Sequence, residues 1–204
     1  MKNPSFLIRL AGITLVGVFL LKETHDSRYT SSAFDIFFTG PATLVGIGLF
    51  IWSAFADLSK FRESDKGLYL LPVILSIGFA VSITAWERQI IAEFEKPSLM
   101  RVSYDGKLNG SSIDFKKDGS YIFEKYTIKH SDYLHGTFTI QNDLITLDKP
   151  QLDNVIKSNR LMLSIGTAVP INSEPVFILN QVDAEGRVIP NTKKFKVVED
   201  FRND

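Results

Sequence analysis

The chain of 204 residues contains no cysteine. That excludes a disulfide framework, a thiol nucleophile and any cysteine-ligated zinc or iron–sulfur site. Histidine is scarce as well: only His25, His130 and His135 are available for acid–base or metal chemistry. Net charge is absent too, because 23 basic side chains balance 23 acidic ones. A neutral chain lacks the field that draws proteins onto nucleic acid, so no nucleic-acid partner is expected. Also missing are a glycine-rich phosphate loop, a Gly-x-Ser-x-Gly elbow and a zinc-protease helix. The composition calls for no cofactor and no metal.

What is present is uneven. Residues 1–96 carry three long apolar segments, and residues 97–204 alternate apolar with polar positions. A helix needs about 20 apolar residues to cross a hydrocarbon core. The segments 6–21, 34–56 and 68–86 meet or approach that length. Arg9 lies near the start of the first, where its stem reaches the headgroups by snorkelling. A cleaved signal peptide is the competing reading of this segment, but the run ends in "LLKETHDSRY" without a small-residue cleavage pattern. Trp52 and Trp86 fall toward span ends, as interfacial rings do.

Within the spans, Gly40-Pro41 predicts a kink. Ala42/Gly46 and Ser76/Ala80/Thr84 recur every four residues and predict grooves where helices approach closely. Asp35 starts its helix, where a carboxylate complements the dipole. With no ionisable group at mid-span, transport is disfavoured.

Orientation follows from Lys and Arg near the span ends. Lys2, Arg9, Lys60, Arg62 and Lys66 lie on one side; Lys22, Arg28, Arg88, Lys96 and Arg101 lie on the other. The short loop with Lys60, Arg62 and Lys66 is the densest basic patch, so the N-terminus is expected in the cytoplasm and residues 97–204 outside it. "ERQIIAEFEK" is expected to prolong the third helix as a stalk that Pro97 stops, with an interfacial helix as the alternative.

Beyond Pro97 the period becomes two. Ile113 and Phe115 lead into the turn Lys116-Lys117-Asp118-Gly119, and Tyr121 and Phe123 leave it. Leu134, Phe138 and Ile140 share a face; Asn142-Asp143 forms the next turn before residues 144–147. Further runs occupy residues 161–165, 176–182, 188–189 and 195–198. The fold class is thus a membrane α part followed by a soluble all-β part: three transmembrane helices, then an antiparallel meander of seven or eight strands curled into a small barrel or a sandwich.

The stretch 113–149, "IDFKKDGSYIFEKY" continuing to "HGTFTIQNDLITLDK", resembles the repeated hairpins of lipocalin-like domains in bacterial envelope proteins, in which an F-x-x-D-G-x-Y turn precedes a G-x-aromatic-x-I strand. It departs from them in lacking a Gly-x-Trp first strand. The resemblance implies a curved antiparallel sheet able to enclose an apolar pocket and a place in the envelope of a bacterium; it carries over no functional residue.

Two groups are candidate ligand contacts. The aromatic residues Tyr121, Phe123 and Phe138 would line a pocket, with core packing as the plainer reading. "KHSDYLHG" gathers His130, Asp132 and His135 within six positions; in an extended chain the first two point one way and His135 the other, and a solvated hairpin loop is the plainer reading. The expected function is that of a membrane-anchored envelope protein. Its β domain binds a protein partner or an apolar ligand, as a complex subunit or a toxin-neutralising protein. An enzyme using His130, Asp132 and His135, and an accessory subunit of a transporter or channel, are the alternatives.

Overall fold

The computed structural model describes residues 4–106, 108–166 and 176–202. The chain divides into two units at Glu93–Phe94.

The first unit holds three helices, α1 (Pro4–Asp26), α2 (Ile36–Ser64) and α3 (Leu71–Phe94), with a short strand β1 (Thr30–Ser32) after α1 and a 3-10 turn (Gly67–Leu70) before α3. All three are long and apolar enough to cross a membrane. At about 1.5 Å per residue, even the shortest spans more than a hydrocarbon core of roughly 30 Å. The helices outrun the expected spans: α2 continues past residue 56 to Ser64, and α3 past residue 86 to Phe94, three residues before Pro97.

α1 buries the stripe Phe6, Arg9, Ile13 and Gly17, spaced three to four residues apart along one helical face. Small residues let the helices meet there. A Cβ on Gly17 would collide with the Phe79 ring of α3, and one on Gly46 of α2 would lie 3.3 Å from Val16. The Ala42/Gly46 groove is therefore a contact with α1. The expected groove at Ser76/Ala80/Thr84 is not: Ala80 and Thr84 are exposed, and the Ser76 hydroxyl is spent on the Pro72 carbonyl at 2.9 Å. α3 instead meets α1 through Phe79. Large apolar side chains such as Leu44, Phe55 and Ile74 face outward, as they do when lipid covers them.

Helix α2 runs through Pro41 without interruption. The Thr39 and Thr43 hydroxyls donate to the carbonyls of Asp35 and Thr39, at 2.9 and 2.8 Å. These bonds satisfy the two hydroxyls within the helix itself, so neither needs a partner outside α2. Asp65, in the left-handed region, ends the helix with its N–H on the Phe61 carbonyl.

The second unit contains β2 (Ser98–Asp105), β3 (Asn109–Lys116), β4 (Ser120–Thr127), β5 (His130–Gln141), β6 (Leu144–Leu147), β7 (Arg160–Gly166), β8 (Val176–Gln181) and β9 (Phe195–Asp200). Each strand pairs antiparallel with the next, and β9 pairs with β2 through Val102↔Val197 and its neighbours. The meander thus closes on itself as an eight-stranded up-and-down barrel, not a sandwich. β2 is a strand the alternation pattern did not single out. The run 188–189, expected as a strand, contributes only the isolated bridge Val182↔Val188.

At the first hairpin turn Gly119 adopts φ 84°, where glycine carries no Cβ penalty. The Asp118 carboxylate accepts from the Ser120 N–H at 3.0 Å and hydroxyl at 2.6 Å. Lys96, 2.7 Å away, and then these Ser120 bonds hold the Asp118 carboxyl well below the usual carboxylate range.

Alternation fills the barrel interior. Val102, Ile113, Phe115, Tyr121, Phe123, Leu161, Leu179 and Phe195 are all inaccessible to solvent. The connection between β6 and β7 folds Leu152, Val155 and Ile156 into the same core. Buried Gln181 fastens this plug: its Oε1 accepts from the Lys157 N–H at 2.7 Å, and its Nε2 donates to the carbonyls of Val155 and Lys193. A buried amide with its partners in place costs little, whereas an unpaired one would cost ~1–3 kcal/mol.

Candidate functional site

Tyr121, Phe123 and Phe138, expected as pocket contacts, lie in the core. The first two have no exposed surface and Phe138 is 9% exposed. Phe138 packs edge-on against Phe115, with ring centroids 4.9 Å apart. Tyr121 keeps a polar handle, its hydroxyl donating to Asp148 Oδ1 at 3.1 Å. Burial first, then the Asp148 charge, pushes the phenol well above its ordinary pKa, so it remains a donor.

Gly136 makes this arrangement possible. It pairs with Tyr121 across β4 and β5, and a Cβ there would lie 2.5 Å from both the phenol and the Asp148 carboxylate. The same device recurs at Gly110, whose missing side chain leaves room for Tyr126 opposite.

His130, Asp132 and His135 sit in β5 rather than in a loop. His130 Nε2 lies 2.8 Å from Asp132 Oδ1, as two residues on one strand face allow. His135 occupies the opposite face, edge-on to the Phe94 ring at 5.7 Å. The three are not brought together, and among the described residues no group of three or more His, Asp or Glu is placed to hold a metal.

The outer face of β2–β5 carries a cleft of about 330 Å³ that sequence reasoning passed over. Phe94, Ile122 and Tyr133 supply its apolar lining; Arg101, Asp114 and Glu124 supply charge. Strand alternation explains the set. Val102, Ile113 and Phe123 turn inward, so Arg101, Ser112, Asp114, Ile122 and Glu124 turn outward, and the pairing Glu124↔Tyr133 brings the tyrosine beside them. Phe94 meets Tyr133 edge-on at 5.2 Å.

The charges in this cleft are unequally satisfied. Asp114 Oδ2 accepts from Lys116 Nζ at 2.7 Å and Arg101 Nε at 3.2 Å. Lys116 is 1% exposed; its ammonium also donates to the carbonyls of Phe94 and Lys96, at 2.7 and 3.0 Å, so all three of its protons are used. Arg101 is shared with Glu199 at 3.2 Å. Glu124 differs. Its carboxylate is gripped by two hydroxyls, Ser131 Oγ on Oε1 at 2.9 Å and Ser112 Oγ on Oε2 at 3.2 Å, and among the described residues no cation forms an ion pair with it.

A second polar group lies among the helices. Arg9, expected at the headgroups, is instead 1% exposed, and its partner Asp57 is fully buried. Arg9 Nε donates to Asp57 Oδ2 at 3.0 Å, its Nη2 donates to Asp57 Oδ1, and Nη1 donates to Ser5 Oγ at 2.6 Å. The guanidinium also stands 5.2 Å from the centre of the Trp52 ring. One turn before Asp57, the buried Ser53 hydroxyl has no hydrogen-bond partner. Asp57 was missed because the apolar run ends at residue 56, one position short of it.

Compared with known proteins, the chain matches no family model, no curated protein and no solved structure, so its likeness to lipocalin-like hairpins rests on strand and turn pattern alone.

Proposed function

We propose that this is a membrane-anchored binding protein of the cell envelope, whose barrel engages a protein partner through the cleft on the outer face of β2–β5. The observation that carries the reading is the contrast between the two surfaces of the sheet. The inner one is filled by large side chains, and the outer one holds a cleft with an apolar wall and an oriented carboxylate. A filled interior supports recognition of a partner from outside rather than capture of an apolar ligand within.

The helices hold the protein in a bacterial inner membrane with the N-terminus in the cytoplasm and the barrel outside it. The partner is a larger envelope complex of which the chain is a subunit, or a toxin that it neutralises. One helix would suffice as a tether, so the presence of three favours a second set of contacts within the bilayer, as in an accessory subunit. The enzyme alternative gains no support from His135, which faces away from the His130–Asp132 pair.

Photocrosslinking tests the proposal. With p-benzoylphenylalanine at Tyr133, irradiation of intact cells producing the full chain is expected to yield a discrete protein adduct. The same group at Glu185, in a turn away from the cleft, is expected to yield none. Equal adducts from both positions, or none from Tyr133, would overturn the proposal.

A further inference from the structure

We infer that the outer cleft accepts a cationic side chain, a lysine or arginine of the partner, with Glu124 as its counter-ion. This deepens the binding function proposed above and rests on it.

The charge arrangement carries the inference. Arg101 and Lys116 are committed to Asp114, Glu199 and the carbonyls of Phe94 and Lys96. Two cations thus face three carboxylates: Asp114 holds both through Oδ2 alone, its Oδ1 being buried without a hydrogen-bond partner, and Glu124 is the one left without an ion pair among the described residues. Ser112 and Ser131 fix the orientation of that carboxylate, and each of its oxygens retains a lone pair for a further donor. Orientation before binding removes part of the ordering cost of association.

The surroundings suit an ion on a hydrocarbon stem. Ile122, which lines the cleft two residues before Glu124, is 7% exposed and offers an apolar surface to methylene groups. Tyr133, directly opposite Glu124 in the strand register, offers a ring that attracts a cation through its quadrupole. An anionic ligand would meet Glu124 and Asp114, and Arg101, the cation among the described lining residues, is already paired with Asp114 and Glu199. A purely apolar one would strip water from Glu124 without replacing its hydrogen bonds, which costs free energy.

The test uses the full chain in detergent micelles with 3-fluorotyrosine at its six tyrosines, the Tyr133 fluorine signal being assigned by Tyr133→Phe. The probes are acetyl-Gly-Arg-Gly-amide, its neutral citrulline counterpart and 1,5-diaminopentane. The arginine peptide is expected to shift the Tyr133 signal saturably and the citrulline peptide to leave it in place. Glu124→Gln keeps the size and one of the two oxygens that accept from the serines, and is expected to weaken the arginine peptide at least tenfold. Equal titration by arginine and citrulline peptides, or an unchanged midpoint in Glu124→Gln, would overturn the inference. So would tighter binding of the diamine than of the peptide, since the cation would then come from a free amine. A Tyr133 crosslink that persists alongside any of these negative results would leave the partner-binding proposal standing and remove only the cationic side chain.

Discussion

Replacing Asp57 alone with alanine is expected to destabilise the helical unit by about 3–5 kcal/mol, the cost of leaving a buried guanidinium without its counter-ion. Arg9 is 1% exposed and Asp57 fully buried, so neither charge is screened by water. The two-pronged contact of Arg9 Nε and Nη2 with the Asp57 carboxylate leaves Arg9 no equivalent acceptor; Ser5 takes only the remaining nitrogen. Such bonds are worth less between membrane helices than their burial suggests, ~0.6 kcal/mol on average, because polar groups in the separated helices also find partners. Stranding the Arg9 charge costs more than losing the bonds themselves.

The double replacement Arg9→Met/Asp57→Leu removes both charges and is expected to recover most of the loss, since uncharged side chains of similar volume often equal a buried pair. Denaturation in mixed micelles, followed through Trp52 and Trp86, measures each variant. An Asp57→Ala protein as stable as the parent would mean that the pair does not join α1 to α2.

Phe115→Ala is expected to cost the barrel about 3–5 kcal/mol, the usual penalty for emptying the site of a buried phenylalanine. The ring has no exposed surface and lies 4.9 Å from Phe138 and 6.4 Å from Tyr121, centre to centre. Its neighbours come from separate strands held in register by backbone hydrogen bonds, so they cannot collapse far into the space. Against a total stability of ~5–15 kcal/mol for a domain, the loss would bring the barrel close to unfolding. Phe115→Leu keeps much of the volume and is expected to cost far less. Hydrogen exchange at the amides of β3 and β4 reads the effect. If the interior were a ligand pocket, truncating Phe115 would enlarge it with little penalty, and exchange would be unchanged.

The parts of this fold that were legible in the sequence are those governed by local pattern. Long apolar runs marked the three helices, Lys116 to Gly119 marked the first turn, and period-two alternation marked β3, β4 and β6. What escaped depends on partners distant in sequence. β2 alternates from Met100 to Asp105, but the bulge between Ser98 and Met100 breaks the pattern at its start, and it becomes a strand by pairing with both β3 and β9. Asp57 is a terminal charge on a hydropathy scale and a buried ion only because Arg9 lies across from it.

The cleft escaped for the same reason. Ser112, Glu124 and Ser131 read singly as solvated positions of an outer face, and only the register of β3, β4 and β5 joins them. The aromatic residues Tyr121, Phe123 and Phe138 illustrate the converse. A pattern identifies them as facing inward, and packing then decides that they are the core of a filled barrel.

The most direct test of the proposed topology, three spans with the barrel outside the cytoplasm, uses the absence of native cysteine. Single cysteines are placed at Lys66, between α2 and α3, and at Lys117, in the exposed first turn of the barrel. Intact cells are then treated with a membrane-impermeant maleimide. The account predicts labelling of Lys117→Cys in intact cells and of Lys66→Cys only after lysis, because α3 separates the two positions. Labelling of both before lysis would contradict the third span, and labelling of Lys66→Cys alone would contradict the orientation that places the barrel outside the cytoplasm.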